Sequence, residues 1–225
     1  MNTDFIISVG PACRPAWHLK HNNLRFISSP FDWMSGVKLQ TVSHFIAQKS
    51  LKGFFEIRED LHINKKNKAI LDKTYNLKSL HHFPVSVDMD EYYPKFFELM
   101  NKRFERCIKA FEKSQHIVFL SHGRSTDELQ EFLYKFNISY PNKRLVFINV
   151  EHDPSLTDIS ESSQSISDNI CIRHVKFNDI HKNGNSKNNP HWWIGNIDCW
   201  QKLCSEIKLN SPQFLMDLND SSSMN

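Results

Sequence analysis

Glycine is scarce in this chain, at 6 residues of 225. The glycine-rich phosphate cradles are accordingly missing: there is neither a GxGxxG fingerprint nor a Walker lysine loop. A GxSxG nucleophile elbow does not occur either. No cofactor is therefore expected. No apolar run approaches the roughly 18 residues a membrane helix requires, which excludes a membrane span. The N-terminus lacks a basic segment, and its apolar run, Phe5 to Val9, is too short for a signal peptide. Five cysteines (Cys13, Cys107, Cys171, Cys199 and Cys204) form no CxxC pair. Their odd number and spacing argue against a disulfide framework and a zinc knuckle, and point to reduced thiols in a cytoplasmic protein. A net charge of +3 is too mild for a nucleic-acid partner. Lys65, Lys66 and Lys68 cluster without interleaved aromatics and read as a solvated turn.

What is abundant is phenylalanine, with 17 residues in a chain that is 40% hydrophobic and 24% charged. This is ample material for a well-filled core. Phe5 to Val9, stopped by Gly10-Pro11, reads as a buried strand. Pro15 suits the first turn of a following helix, which puts Cys13 at or just before the helix start. Leu24 to Ser29 reads as a second strand closed by Pro30. A helix opening at Ser35 or Gly36 carries Val42, Phe45 and Ile46 on one face. Phe54 to Ile57 reads as a strand, and the polar Asn64 to Lys73 as loop. Tyr93 to Lys113 places Phe96, Phe97, Met100, Phe104, Cys107, Ile108 and Phe111 at helical spacing.

His116 to Leu120, Ser125 to Phe136 and Arg144 to Val150 then read as strand, helix and strand. That length is a βαβ unit, which demands a parallel pair. Asp153 to Asn169 and His181 to Pro190 read as polar loops around a strand at Ile170 to Phe177. A last helix spans Asp198 to Lys208. The expected fold is a single α/β domain over residues 1–218, a mostly parallel open sheet flanked by helices in a Rossmann-like manner. Residues 219–225 read as a disordered tail.

In an open parallel sheet, ligands bind beyond the carboxyl ends of the strands. That rule selects Gly10, Cys13 and Arg14; then Pro30, Phe31, Asp32 and Trp33; then Ser121, His122, Gly123 and Arg124; then Glu151, His152 and Asp153. A cysteine at a helix N-terminus meets N–H groups and a partial positive charge that lower a thiol pKa, and Arg14 would add to this. The bland alternative is a small buried residue between strand and helix. Asp32, between Phe31 and Trp33, would orient a histidine, act as a base, or cap the turn. His81 and His82 are candidate bases near neutral pH, with His122 as competitor. In an extended strand, at most one of the adjacent pair faces a given site. His174, His181 and His191 match no metal-ligand spacing, so no metal site is expected.

These residues carry a family resemblance. Ser8-Val9-Gly10, then Cys13, then Ser29-Pro30-Phe31-Asp32-Trp33 resembles the opening of a family labelled putative papain-like cysteine peptidase. His81-His82-Phe83-Pro84 and Lys102-Arg103-Phe104-Glu105-Arg106 are similar to later elements of it, as are Trp193, Gly195, Asn196 and Trp200 more weakly. The chain departs from the pattern where His82 replaces an Asp and where Ser121-His122 replaces a hydrophobic–Arg strand end. The resemblance implies a Cys13 nucleophile with a His81 base and Asp32 as orienter. It also implies a setting beside surface-polysaccharide genes. The fold expectation stays α/β and not that of papain. In papain the histidine follows the cysteine by about 130 residues or more, and here the gap is about half that.

Two functional classes follow. One is a thiol-dependent hydrolase or acyl transferase acting through Cys13, His81 and Asp32 on a small-molecule, peptide or glycan substrate. The other is a transferase or binding domain for a nucleotide- or phosphate-bearing sugar, with Gly10, Arg14, Trp33, His122 and Arg124 as ligand-binding residues. An inactive relative that keeps the fold is the third expectation.

Overall fold

A computed structural model describes residues 1–63, 67–184, 189–210 and 212–220. The strands are β1 (Asn2–Thr3), β2 (Phe5–Ser8), β3 (Met34–Ser35), β4 (Arg58–Ile63), β5 (Asn67–Asp72), β6 (Leu77–Pro84), β7 (His116–His122), β8 (Arg144–His152), β9 (Ser160–Ser167), β10 (Ile170–Phe177) and β11 (Lys208–Leu209). The helices are α1 (Cys13–His21), α2 (Leu39–Gln48), α3 (Met89–Lys113), α4 (Thr126–Ser139), α5 (Ile197–Ser205) and α6 (Pro212–Asp220), with a 3-10 turn at Trp192–Ile194.

The main sheet runs β2-β7-β8-β10-β9. β2, β7, β8 and β10 are parallel neighbours, and β9 is an antiparallel edge on β10. Strand side chains alternate between two apolar layers, as the period of two requires. Phe5, Ile7, Ile117, Phe119, Leu145 and Phe147 pack toward α2, α3, α4 and α6. Ile6, Val118, Leu120, Ile148, Val150 and Val175 pack toward α1 and α5. The parallel sheet is thus covered on both faces, the α/β arrangement expected. The βαβ unit β7–α4–β8 is present, and Ser125 and Glu128 close a capping box at the start of α4. A second, antiparallel sheet of order β3-β6-β5-β4 was not foreseen. Its Ile70, Leu77 and Phe83 join the first apolar layer.

Several sequence expectations need correction. Leu24 to Ser29 is not a strand. The Leu24 and Arg25 amides donate to Leu19 carbonyl, and the Ser29 amide donates to the Asp32 side chain, so this backbone is committed locally. The helix expected from Ser35 or Gly36 begins at Leu39, because Ser35 pairs with Lys78 in β3. Phe54 to Ile57 is a turn, with Phe55 at φ +52° and its amide on Asp72. Within Asn64 to Lys73, residues 67–72 form β5; Ala69 and Ile70 are buried, and the flanking lysines disguise them. Residues 64–66, including Lys65 and Lys66, lie outside the described residues, as do 185–188 of the second expected loop. Asp153 to Asn169 contains β9, an edge strand exposed throughout. With neither face buried, its serines leave no apolar period to read. The last expected helix stops at Ser205, and Lys208–Leu209 pairs with β1 instead. Asn219 and Asp220 end α6, and the rest of the expected tail, 221–225, lies outside the described residues.

Phe119 is fully buried between the rings of Phe132, Phe136 and Phe147, at centroid distances of 4.9, 4.9 and 5.9 Å. Phe119→Ala is expected to cost about 3–5 kcal/mol in denaturant unfolding. Tyr134→Ala, at a side chain 69% exposed on α4, should stay within about 0.5 kcal/mol. Equal effects from the two would contradict this packing.

Candidate active site

The carboxyl ends of β2 and β7 lead to a cavity of about 760 Å³. Its wall carries Ala12, Cys13 and Arg14 from the start of α1, His122 from the end of β7, and Trp33. Leu80, His81 and His82 line it from β6, and Trp192 and Trp193 from the 3-10 turn. β2 and β7 are paired side by side. Val9 amide donates to Leu120 carbonyl at 3.1 Å and Ser121 hydroxyl to Gly10 carbonyl at 2.9 Å. Cys13 and His122 therefore leave adjacent strands at one sheet edge.

Cys13 is the first residue of α1, and Ala12 before it supplies no side-chain cap. The first-turn amides are thus free of a capping side chain. The thiol pKa nevertheless moves opposite to the sequence expectation. Burial, reinforced by the negative charge of Asp32, pushes it up to about 11. Arg14 does not offset this, because its guanidinium is engaged elsewhere. Nε donates to Trp193 carbonyl at 2.7 Å and Nη1 pairs with Asp179.

Asp179 stands just beyond β10 with no exposed side-chain surface. Its Oδ1 accepts from the Asn196 amide at 2.9 Å and from Trp200 Nε1 at 3.0 Å. Its Oδ2 takes Arg14 and lies 3.6 Å from His122 Nε2. Its own amide donates to His152 Nδ1 at 3.0 Å. Gly195 presses against this group at φ +77°, where a Cβ would come within 2.1 Å of Oδ1. Beneath it, His18 stacks on Trp200 at 4.5 Å and donates from Nε2 to Ile194 carbonyl at 2.8 Å. Burial drives the His18 pKa down to about 3.

The other nominated residues divide between wall and scaffold. His81 is exposed on the cavity wall. His82 lines it too, which an even strand would forbid. β6 advances from Ser79 to Phe83 while its partner β5 advances only from Ile70 to Lys68, so the intervening residues bulge. His82 Nδ1 bonds Ser79 hydroxyl at 2.9 Å, and burial, with Arg103 nearby, lowers its pKa to about 4. Asp32 does not approach these histidines through a hydrogen bond. It is buried, and its Oδ2 accepts from Arg25 Nε at 2.9 Å, Arg25 Nη2 at 2.7 Å and the Ser29 amide at 3.0 Å. It fixes the turn that presents Trp33, which holds a left-handed φ of +66° and meets Trp193 edge-on at 6.3 Å. Gly10 supports the wall through its carbonyl. Arg124 is not on the wall: it donates to Val37 carbonyl and to Ser121 hydroxyl at 3.4 Å. Glu151 bonds His174 at 2.9 Å, and His181 bonds Asn189 at 2.9 Å. Among the described residues, no His, Cys, Asp and Glu group has the arrangement of a metal site.

Asp179 was missed from sequence, although the strand-end rule reaches it. It lies just past Phe177, at the carboxyl end of β10. Trp192 carried no motif and is placed by the 3-10 turn alone.

A family profile described as a putative papain-like cysteine peptidase matches residues 4–155. The matched span holds Cys13, Asp32, Trp33, His81 and His122; Asp179, Trp193 and Gly195 lie past it. No curated protein and no solved structure matches the chain. Among the described residues, no helix is long and apolar enough to cross a membrane.

His18 and His82 make stability depend on pH. Their folded pKa values lie below the ordinary histidine value of 6.5, so the unfolded chain binds protons first as pH falls. Their contribution is complete above about pH 6.5 and is lost on descending toward pH 3 to 4. The melting temperature should fall between about pH 7 and 4.5, and His18→Leu should reduce that slope. A melting temperature flat over this range would contradict the buried neutral imidazoles.

Proposed function

The chain belongs to the putative papain-like cysteine peptidase family, and from that premise we propose that it is a thiol-dependent hydrolase or acyl transferase with Cys13 as nucleophile. The observation that carries this reading is the setting of Cys13. It opens an uncapped helix on the wall of a cavity shared with His81, His82 and His122. Sγ attacks a carbonyl carbon while an imidazole of the wall takes the thiol proton. The first-turn amides of α1 face the oxygen that gains charge in the tetrahedral intermediate. Because burial holds the resting thiol protonated, attack requires a base acting as the S–C bond forms. This differs from a standing thiolate made by the helix N-terminus alone.

The second reading, a domain for a nucleotide- or phosphate-bearing sugar of surface-polysaccharide assembly, is favoured by Trp33, Trp192 and Trp193. Their indole faces offer stacking platforms for a sugar ring. Its weakness is the anion. Of the two arginines that would hold a phosphate, Arg14 is paired with Asp179 and Arg124 is turned to Val37 carbonyl. A glycan ester suits the thiol reading equally well as substrate.

The test is intact-mass labelling with a panel of acyl electrophiles, mapped to each cysteine. Cys171 and Cys199, part-exposed like Cys13, serve as internal references. Cys13 should label at least about tenfold faster than either near neutral pH, and unfolding in urea should abolish the difference. Labelling of Cys13 no faster than the references would refute the nucleophile.

A further inference from the structure

We propose that His122 is the base for Cys13 and that Asp179 is its positioning residue, an assignment that rests on the reading of Cys13 as nucleophile. Three imidazoles compete for the role, and their supports differ. His81 reaches the cavity from the second sheet, is exposed, and makes no hydrogen bond among the described residues. His82 is turned onto Ser79 hydroxyl and packed against Phe96 at 5.8 Å. His122 stands on the strand that is hydrogen-bonded to the one leading into Cys13. Behind it is a carboxylate that cannot move freely, because Asp179 is held by Arg14, the Asn196 amide and Trp200 Nε1.

The 3.6 Å from His122 Nε2 to Asp179 Oδ2 is longer than a hydrogen bond. A small ring rotation closes it, and catalytic contacts commonly tighten only when substrate is bound. With Nε2–H directed to the carboxylate, the lone pair is on Nδ1, which makes no hydrogen bond among the described residues. The charged and titratable groups facing the ring are Arg14 from α1, Asp179 after β10, His152 from β8 and Arg124 after β7. Burial, then Arg14, hold the imidazole neutral below the usual histidine range, so it is a free base at neutral pH. Asp179 opposes that shift and stabilises the imidazolium once a proton arrives. Arg14 offsets part of the Asp179 charge, so orientation is the larger part of its role.

The reaction balances with these groups and water. His122 Nδ1 takes the Cys13 proton as Sγ bonds to the acyl carbon. The bond from that carbon to the leaving oxygen or nitrogen breaks, and the imidazolium protonates the departing group. Water then attacks the thioester, giving a proton to His122. The S–C bond breaks, the acid leaves, and the proton returns to Sγ. An acceptor hydroxyl in place of water makes the same step an acyl transfer.

The experiment uses p-nitrophenyl acetate as probe, following p-nitrophenolate release and the acetyl mass on Cys13 between about pH 5 and 9. Wild type should give a plateau through neutral pH with an acid limb set by His122. His122→Asn should slow Cys13 acetylation about 100-fold at neutral pH. It should also replace the plateau by a rate rising about tenfold per pH unit, the signature of a thiol left to ionise unaided. His81→Asn should keep the plateau shape, whatever it does to its height. Asp179→Asn should move the acid limb to lower pH, since removing the anion weakens the imidazolium. If that variant does not fold, ring 15N shifts of His122 in the wild type give the same answer: an Nε2–H tautomer supports the assignment and an Nδ1–H tautomer overturns it. Cys13-selective acetylation whose plateau is lost in His81→Asn and kept in His122→Asn overturns this assignment alone. Acetyl spread evenly over the cysteines overturns the nucleophile, and the base with it.

Discussion

A carboxylate with no exposed surface must be paired and hydrogen-bonded, or the fold carries an uncompensated charge. Asp179 meets that demand by drawing two distant parts of the chain, the start of α1 and the start of α5, to one point. Arg14 comes from α1, Trp200 from α5, the Asn196 amide from the helix cap, and Gly195 closes over it without a side chain. Arg14 in turn holds Trp193 carbonyl, which fixes the tryptophan wall. His18 completes the floor by stacking on Trp200. The cavity is therefore shaped from beneath by a network that does not itself need to touch a substrate.

That network explains why Cys13 is not a simple helix-end thiolate. The residue beside it that could have supplied positive charge is pinned to Asp179, and the nearby anion is Asp32. Burial then dominates and keeps the thiol protonated. Chemistry at such a sulfur depends on a partner that removes the proton during attack. On the wall, burial holds the imidazoles of His82 and His122 below the usual histidine range. The proposed thiol chemistry, which family membership motivates, would take its form from this electrostatic setting.

The parallel core was legible from sequence where periodicity and length agreed, as in β7, α4, β8 and α3. The strand-end rule led to Cys13, Arg14 and His122, which stand on the cavity wall; Trp33 stands there too, but the strand expected to end before it is absent, and its place is set by the Asp32 turn. What was not legible has physical causes. β9 buries neither face, so its serines resemble a loop. β5 hides Ala69 and Ile70 among lysines. Leu24 and Ile27 are apolar like a strand but contribute to opposite layers of the core. Asp32 looked like an orienter because it follows Phe31, whereas its partner Arg25 lies seven residues back and the pair braces a turn. The bulge in β6 that brings both His81 and His82 to the wall depends on register with β5, which no local pattern encodes.

The Arg14–Asp179 pair is the joint between sheet edge and cavity wall. A double-mutant cycle with Arg14→Met and Asp179→Asn, read by urea unfolding, measures that joint directly. Each single change should destabilise strongly, because it leaves the other charge buried alone. The double variant should recover part of the loss, giving a coupling of about 2 kcal/mol or more. Effects that add to within about 0.5 kcal/mol would show that the two side chains do not act as one, and would contradict the account.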